Sequence, residues 1–210
     1  MPHKIRSRVI FVLYLLLFSS IAHAQTNDIC FSIDETGIIK RAYASFEKDI
    51  FNHYKFGNDS IKTYRTFLAE VASLSIDLRK LPSDNSIQLT REFKKIANNK
   101  NSLWVRLTDY ENQEANRKPY PSSTTKKNEE EILIFNYRGG FIQCLKNTSD
   151  SDDFKEVIRN LETDANISTS LIAQKIYYIS DKEFNSLEIK NFIAFDIYYS
   201  ILMVVEKAFK

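Results

Sequence analysis

Apolar side chains recur at intervals of three and four along most of this chain, the spacing that lines one face of an α-helix. Ile39, Tyr43, Phe46, Ile50 and Tyr54 make the first stripe, entered through the capping-box sequence Ser32-Ile33-Asp34-Glu35 and ended near Gly57. Asp59 is placed to cap a second helix, whose stripe Ile61, Tyr64, Leu68, Val71, Leu74, Leu78 and Leu81 runs to Pro82. Ser83 or Asp84 opens a third with Ile87, Phe93, Ile96 and Ala97, interrupted by the polar run 98–101. Ser102 predicts a short helical segment bearing Trp104, Leu107 and Tyr110. Further on, Phe154, Val157, Ile158 and Leu161 follow the cap sequence Asp150-Ser151-Asp152-Asp153, and residues 167–179 predict another helix. Ser180-Asp181-Lys182-Glu183 is a second capping box, opening the longest helix, from Asp181 to about Phe209.

That last helix carries apolar residues over most of its girth. On a wheel at 100° per residue, Phe184, Leu187, Phe195, Tyr198, Leu202, Val205 and Phe209 form one stripe. Ile189, Ile193, Ile197, Ile201, Val204 and Ala208 form a second beside it. A helix so covered is central, with the others packed around it. Asp196 interrupts the pattern between Phe195 and Ile197. The wheel sets it on a narrow polar edge with Ser200 and Lys207, facing water. Buried instead, it would be a carboxyl of raised pKa and a candidate acid.

Two stretches leave the helical rhythm. Residues 111–131 hold Pro119, Pro121, many charges and, as their one large apolar group, Tyr120. They read as a polar loop joining two halves, 32–110 and 132–210, of a single helical domain. Residues 132–145 read first as two short helices separated by Gly139 and Gly140, with a small hairpin with a Gly-containing turn as the alternative. Four glycines and four prolines in the whole chain argue against a sandwich or barrel. The expected fold is all-α, an irregular single-domain bundle of about seven to eight helices around the C-terminal one. The α+β alternative carries the hairpin at 132–145.

The first 24 residues stand apart. Lys4, Arg6 and Arg8 precede the apolar run Val9 to Phe18, and Ala22-His23-Ala24 closes with small residues. That order is a secretory signal peptide with cleavage expected after Ala24. The apolar run is about half of the ~20 residues a membrane-spanning helix needs. Cys30 lies too far past the cut for a lipoprotein anchor. The expected location is periplasmic or secreted, in a bacterial envelope, with no integral membrane span after cleavage.

Export changes the charge and the redox picture. Taking the three leader cations from the 29 Lys and Arg leaves 26 against 27 Asp and Glu, a net charge of −1. A folded domain without basic excess argues against nucleic-acid binding. Cys30 and Cys144 are the only cysteines, and in an oxidising compartment they predict one disulfide.

Candidate chemistry is sparse. His53 is the one histidine beyond the leader, so a two-His zinc site cannot form within one chain. Any His-dependent nucleophile must use it, with Asp49 one turn earlier placed to orient its ring. No catalytic, metal-binding or cofactor motif is legible. Asp150, Asp152, Asp153 and Asp196 are weak acid candidates, and the first three read more simply as helix capping. Trp104 and Tyr120 are the aromatic candidates for a binding surface.

Two functions fit this pattern. The first is a non-enzymatic envelope protein that binds a protein partner, as an inhibitor or immunity-type antagonist of an exported toxin or hydrolase. The second is a hydrolase of envelope glycans or peptides using two carboxylates across a cleft. The leader makes one direct prediction: protein recovered from outside the cytosol starts at Gln25 by intact-mass measurement, and a mass that retains Met1–Ala24 overturns the reading.

Overall fold

The computed structural model describes residues 30–97, 102–115 and 132–209. The leader, Tyr120 and the acidic run 129–131 lie outside them. Nine helices and two short strands make up the described residues. α1 spans Ile38–Tyr54, α2 Ser60–Ala72, α3 Asp84–Ile96 and α4 Leu107–Ala115. α5 spans Gly140–Thr148, α6 Asp152–Thr163, α7 Thr169–Tyr177, and α8 is the single turn Asp181–Phe184. α9 is continuous through three segments, α-helical Leu187–Phe192, π-helical Ile193–Tyr199 and α-helical Ser200–Val205. The strands are β1, Trp104–Arg106, and β2, Leu133–Phe135.

Short polar side chains start the helices, as their N-terminal amides require. Asp59 accepts the Lys62 amide at 2.9 Å, and Ser83, Ser151, Ser168 and Ser186 do the same for α3, α6, α7 and α9. The N-cap of α1 is Gly37 (φ 68°), which offers no side chain, and Asp34 rather than Ser32 reaches the helix start. The Asp34 carboxylate accepts the amides of Thr36 (2.9 Å) and Ile39 (2.8 Å), and the helix begins at Ile38.

Four stretches depart from the sequence pattern. α2 stops at Ala72, well short of Pro82. Leu74 takes a left-handed backbone (φ 57°), the Ser75 amide reaches the Glu70 carbonyl at 2.9 Å, and the Leu74 amide reaches Val71 at 3.1 Å. This is a Schellman ending with leucine in the place usually held by glycine. Ser73 donates its hydroxyl to the Ala69 carbonyl and contacts Ser75, the local side-chain bonding that competes with helix continuation.

The segment after Ser102 is a strand before it is a helix. β1 pairs antiparallel with β2 in the register Trp104↔Phe135, Val105↔Ile134, Arg106↔Leu133. The 132–145 stretch is therefore neither two helices nor a local hairpin: its first part is β2, and residues 141–145 lie in α5. The pairing joins segments far apart in sequence, and Trp104 and Val105 are both buried, so no alternation marks the strand. The polar stretch starts later than its composition implies, since Glu111–Ala115 continue α4. The C-terminal helix is interrupted at Asn185 and Ser186, where Ser186 caps α9 afresh.

α9 is central, as its girth implied. Its first segment packs on α5, its π segment on α1 and α7, and its last on α3 and β2. α2 and α7 form the most extensive helix pair. Interlocked rings fill the centre: Phe46 against Tyr198 at 5.0 Å, Phe93 against Trp104 at 4.8 Å, and Phe141 against Phe195 at 5.2 Å. Among the described residues no helix is long and apolar enough to cross a membrane.

Cys30 and Cys144 form a disulfide, with Cα atoms 5.6 Å apart and a separation of 114 residues. It ties the start of the described chain to α5. In the chain-entropy view a closed loop of this length stabilises the fold by about 4–5 kcal/mol. A Cys30→Ser, Cys144→Ser variant is expected to unfold at clearly lower urea concentration than the oxidised protein, and to match the reduced one. Equal midpoints for oxidised and variant protein would show that the crosslink carries no stability.

Candidate functional site

The residues that sequence placed on helix faces meet in two polar centres. The first is built on α1, where Ser45 and Asp49 lie beside the apolar stripe Ala42, Phe46 and Ile50, all of them buried. α3 brings Ser86 to the same depth, and α9 brings Tyr198 and Tyr199. Asp49 Oδ2 accepts three hydrogen bonds, from the Ser86 hydroxyl (2.6 Å), the Tyr198 hydroxyl (2.6 Å) and the Ser83 amide (3.1 Å). Ser45 bonds Ser86 at 2.8 Å and takes a further bond from Asn85 at 2.8 Å. Burial first, and then the charge of Asp49, hold the Tyr198 hydroxyl far above its ordinary pKa, so it remains a donor.

A cleft of about 340 Å³ opens over this centre, lined by Asp49, Asn52, His53, Lys55, Lys80, Leu81, Pro82 and Ser83. Asp49 is 5% exposed and is the one carboxylate in that lining. Its Oδ2 takes all three of those bonds, and Oδ1 takes none of them. His53 is beside it but not coupled to it. Its ring stands edge-on to Tyr54 at 4.8 Å, and no hydrogen bond joins it to Asp49 among the described residues. The Asp49–His53 pair suggested by helical spacing is therefore not formed, because Ser83, Ser86 and Tyr198 hold the carboxylate.

The second centre is sealed. Asp196 is 2% exposed, which corrects its placement on a wet edge. The wheel assumed α-helical turns, but residues 193–199 are π-helical, and all seven are buried. With neighbours on every side of that segment, no edge of it faces water, whatever angle the wheel assigns. Tyr137, just beyond β2, donates its hydroxyl to Asp196 Oδ1 at 2.8 Å. Asp196 Oδ2 is buried without a hydrogen-bond partner, and so is Oδ1 of Asn191, five residues earlier. Burial raises the Asp196 carboxyl to about 7, against the partial opposition of the Tyr137 bond.

The remaining sequence candidates resolve simply. Asp150, Asp152 and Asp153 are exposed at the start of α6, where Ser151 is the cap that accepts the Phe154 amide. Trp104 is 1% exposed and donates its indole N–H to Ser200 at 3.0 Å. It is a core residue and not a binding surface, because pairing with β2 turns its ring onto Phe93 and Phe195. Tyr120 lies outside the described residues. Among those residues no group of His, Cys, Asp and Glu is arranged to hold a metal ion.

No family model, curated protein or solved structure matches this chain. Two acids facing each other across a cleft would support a hydrolase, and the cleft over α1 offers Asp49 alone.

The sealed acid sets a pH dependence. Its folded pKa of about 7 lies above the ordinary 3.8, so between those values the native state holds a proton that the unfolded chain has released. That contribution to stability is complete below pH 3.8, declines as pH rises to about 7 and is absent above. Asp196→Asn is expected to abolish this decline, leaving the variant more stable than the parent near pH 8 by roughly 4 kcal/mol. Urea midpoints at acid and alkaline pH read it, and an unchanged pH slope in the variant would refute it.

Proposed function

We propose that this is an exported, non-enzymatic binding protein of the cell envelope whose partner is another protein, in the manner of an inhibitor or immunity factor. The observation that carries the reading is Leu74. Its left-handed backbone costs a non-glycine residue about 1–2 kcal/mol, and its side chain is 81% exposed. The fold thus gains neither packing nor backbone ease from a leucine there. A strained backbone held in place by its surroundings is a pointer to function, and this one displays an apolar side chain to solvent.

Tyr178 supports it. It follows α7, the helix packed along α2, and is 73% exposed. Aromatic and large aliphatic side chains displayed from rigid helix ends suit insertion into a partner's pocket at little cost in conformational entropy. The disulfide suits an oxidising compartment, in keeping with the leader.

Leu74→Gly separates the two roles of this residue. The variant is expected to gain about 1 kcal/mol of stability while losing capture of the envelope partner that the parent retains from periplasmic extract. Tyr178→Ala should weaken the same capture. A partner held equally well by both variants, or no reproducible partner for the parent, overturns the proposal.

A further inference from the structure

We propose that the cleft over Asp49 binds a small zwitterion, an amino acid or short peptide bearing a free ammonium and a free carboxylate. This does not rest on the partner-protein reading above.

The floor of the cleft carries one carboxylate. Asp49 is fixed by three hydrogen bonds to Oδ2, from Ser83, Ser86 and Tyr198, and its side chain is 95% withdrawn from solvent. Oδ1 receives none of those bonds, and Asp49 lines the cleft. A carboxylate held still by one oxygen, with the other taking none of those three donors, is a preformed acceptor for an N–H donor of positive charge.

The rim carries the opposite sign. Lys55 and Lys80 supply it, with the His53 ring beside them in the lining. Lys80 is half committed, since Asp77 meets its ammonium at 3.0 Å. Lys55 has a left-handed backbone (φ 55°) at the end of α1. These two signs restrict the ligand. A simple anion small enough to reach the floor meets Asp49, and a simple cation must pass the lysines. A molecule with an ammonium at one end and a carboxylate at the other satisfies both. The volume of about 340 Å³ lies within the range of small-ligand sites, and Leu81 and Pro82 supply an apolar wall.

The test uses the oxidised full-length domain and four probes: alanine, dialanine, N-acetyl-dialanine and dialanine amide. Two-dimensional amide spectra report on His53, Lys55 and Ser83. Saturable shifts are expected from alanine or dialanine, with affinity lower by roughly tenfold or more when either charged end is capped. Asp49→Asn keeps an acceptor for Ser86 and Tyr198 but turns an amide toward the ligand, and it should abolish the response. Lys55→Ala, on the surface, should weaken it several-fold without disturbing the fold, so the test stands even if the Asp49 variant fails to fold. No saturable shift from either zwitterion, equal affinity for the capped forms, or an unaltered response in Lys55→Ala overturns the proposal.

Discussion

The π-helical stretch of α9 is the constraint on which the rest of this fold depends. Seven consecutive buried residues cannot be met by neighbours on one side, so helices α1, α3, α5 and α7 have to enclose the rod. The wider turn sends adjacent tyrosines to a single helix: Tyr198 reaches Asp49 at 2.6 Å, and Tyr199 reaches the Ala42 carbonyl at 2.9 Å. Ser200, at the end of the stretch, bonds the Phe195 carbonyl at 3.2 Å and receives the Trp104 indole. π-turns are uncommon and persist where surrounding packing fixes them, and here the ring contacts of Phe46, Phe93 and Phe141 with the stretch do so.

The same rod creates two acids of opposite character. Asp49 is buried, and three donors meet one of its oxygens. Asp196 has a single donor, Tyr137, and an unpartnered second oxygen. Desolvation therefore dominates there and favours the neutral acid. One centre lines a cleft; the other is closed, and burial favours its neutral acid.

Outside the core, the fold tolerates strain at two helix ends. Lys55 after α1 and Leu74 after α2 both adopt a conformation that glycine takes at no steric cost. Neither side chain is required by the packing beneath it, and each projects from a scaffold stapled by the Cys30–Cys144 disulfide and the β1–β2 pair. The two strained turns display different chemistry, an exposed leucine at one and a lysine beside the cleft at the other.

Local chemistry in the sequence determined the helical class, most helix starts, the disulfide pair and the central place of the last helix. Capping side chains act within three residues, and apolar stripes report a helix's buried face directly. The caps of α2, α3 and α6 and the stripe of Phe46 and Ile50 were legible for that reason. Tertiary structure decided what depends on distant partners. The strand at Trp104 exists only because Leu133–Phe135 lies beside it. The early end of α2 turns on one left-handed leucine, and the burial of Asp196 on neighbouring helices that cover every face of its segment. The Asp49 centre left one trace, polar Ser45 and Asp49 spaced by four beside an apolar stripe. Its meaning required α3 and α9 to bring Ser86 and Tyr198 within hydrogen-bonding reach, a convergence of three segments up to 149 residues apart that no local pattern encodes.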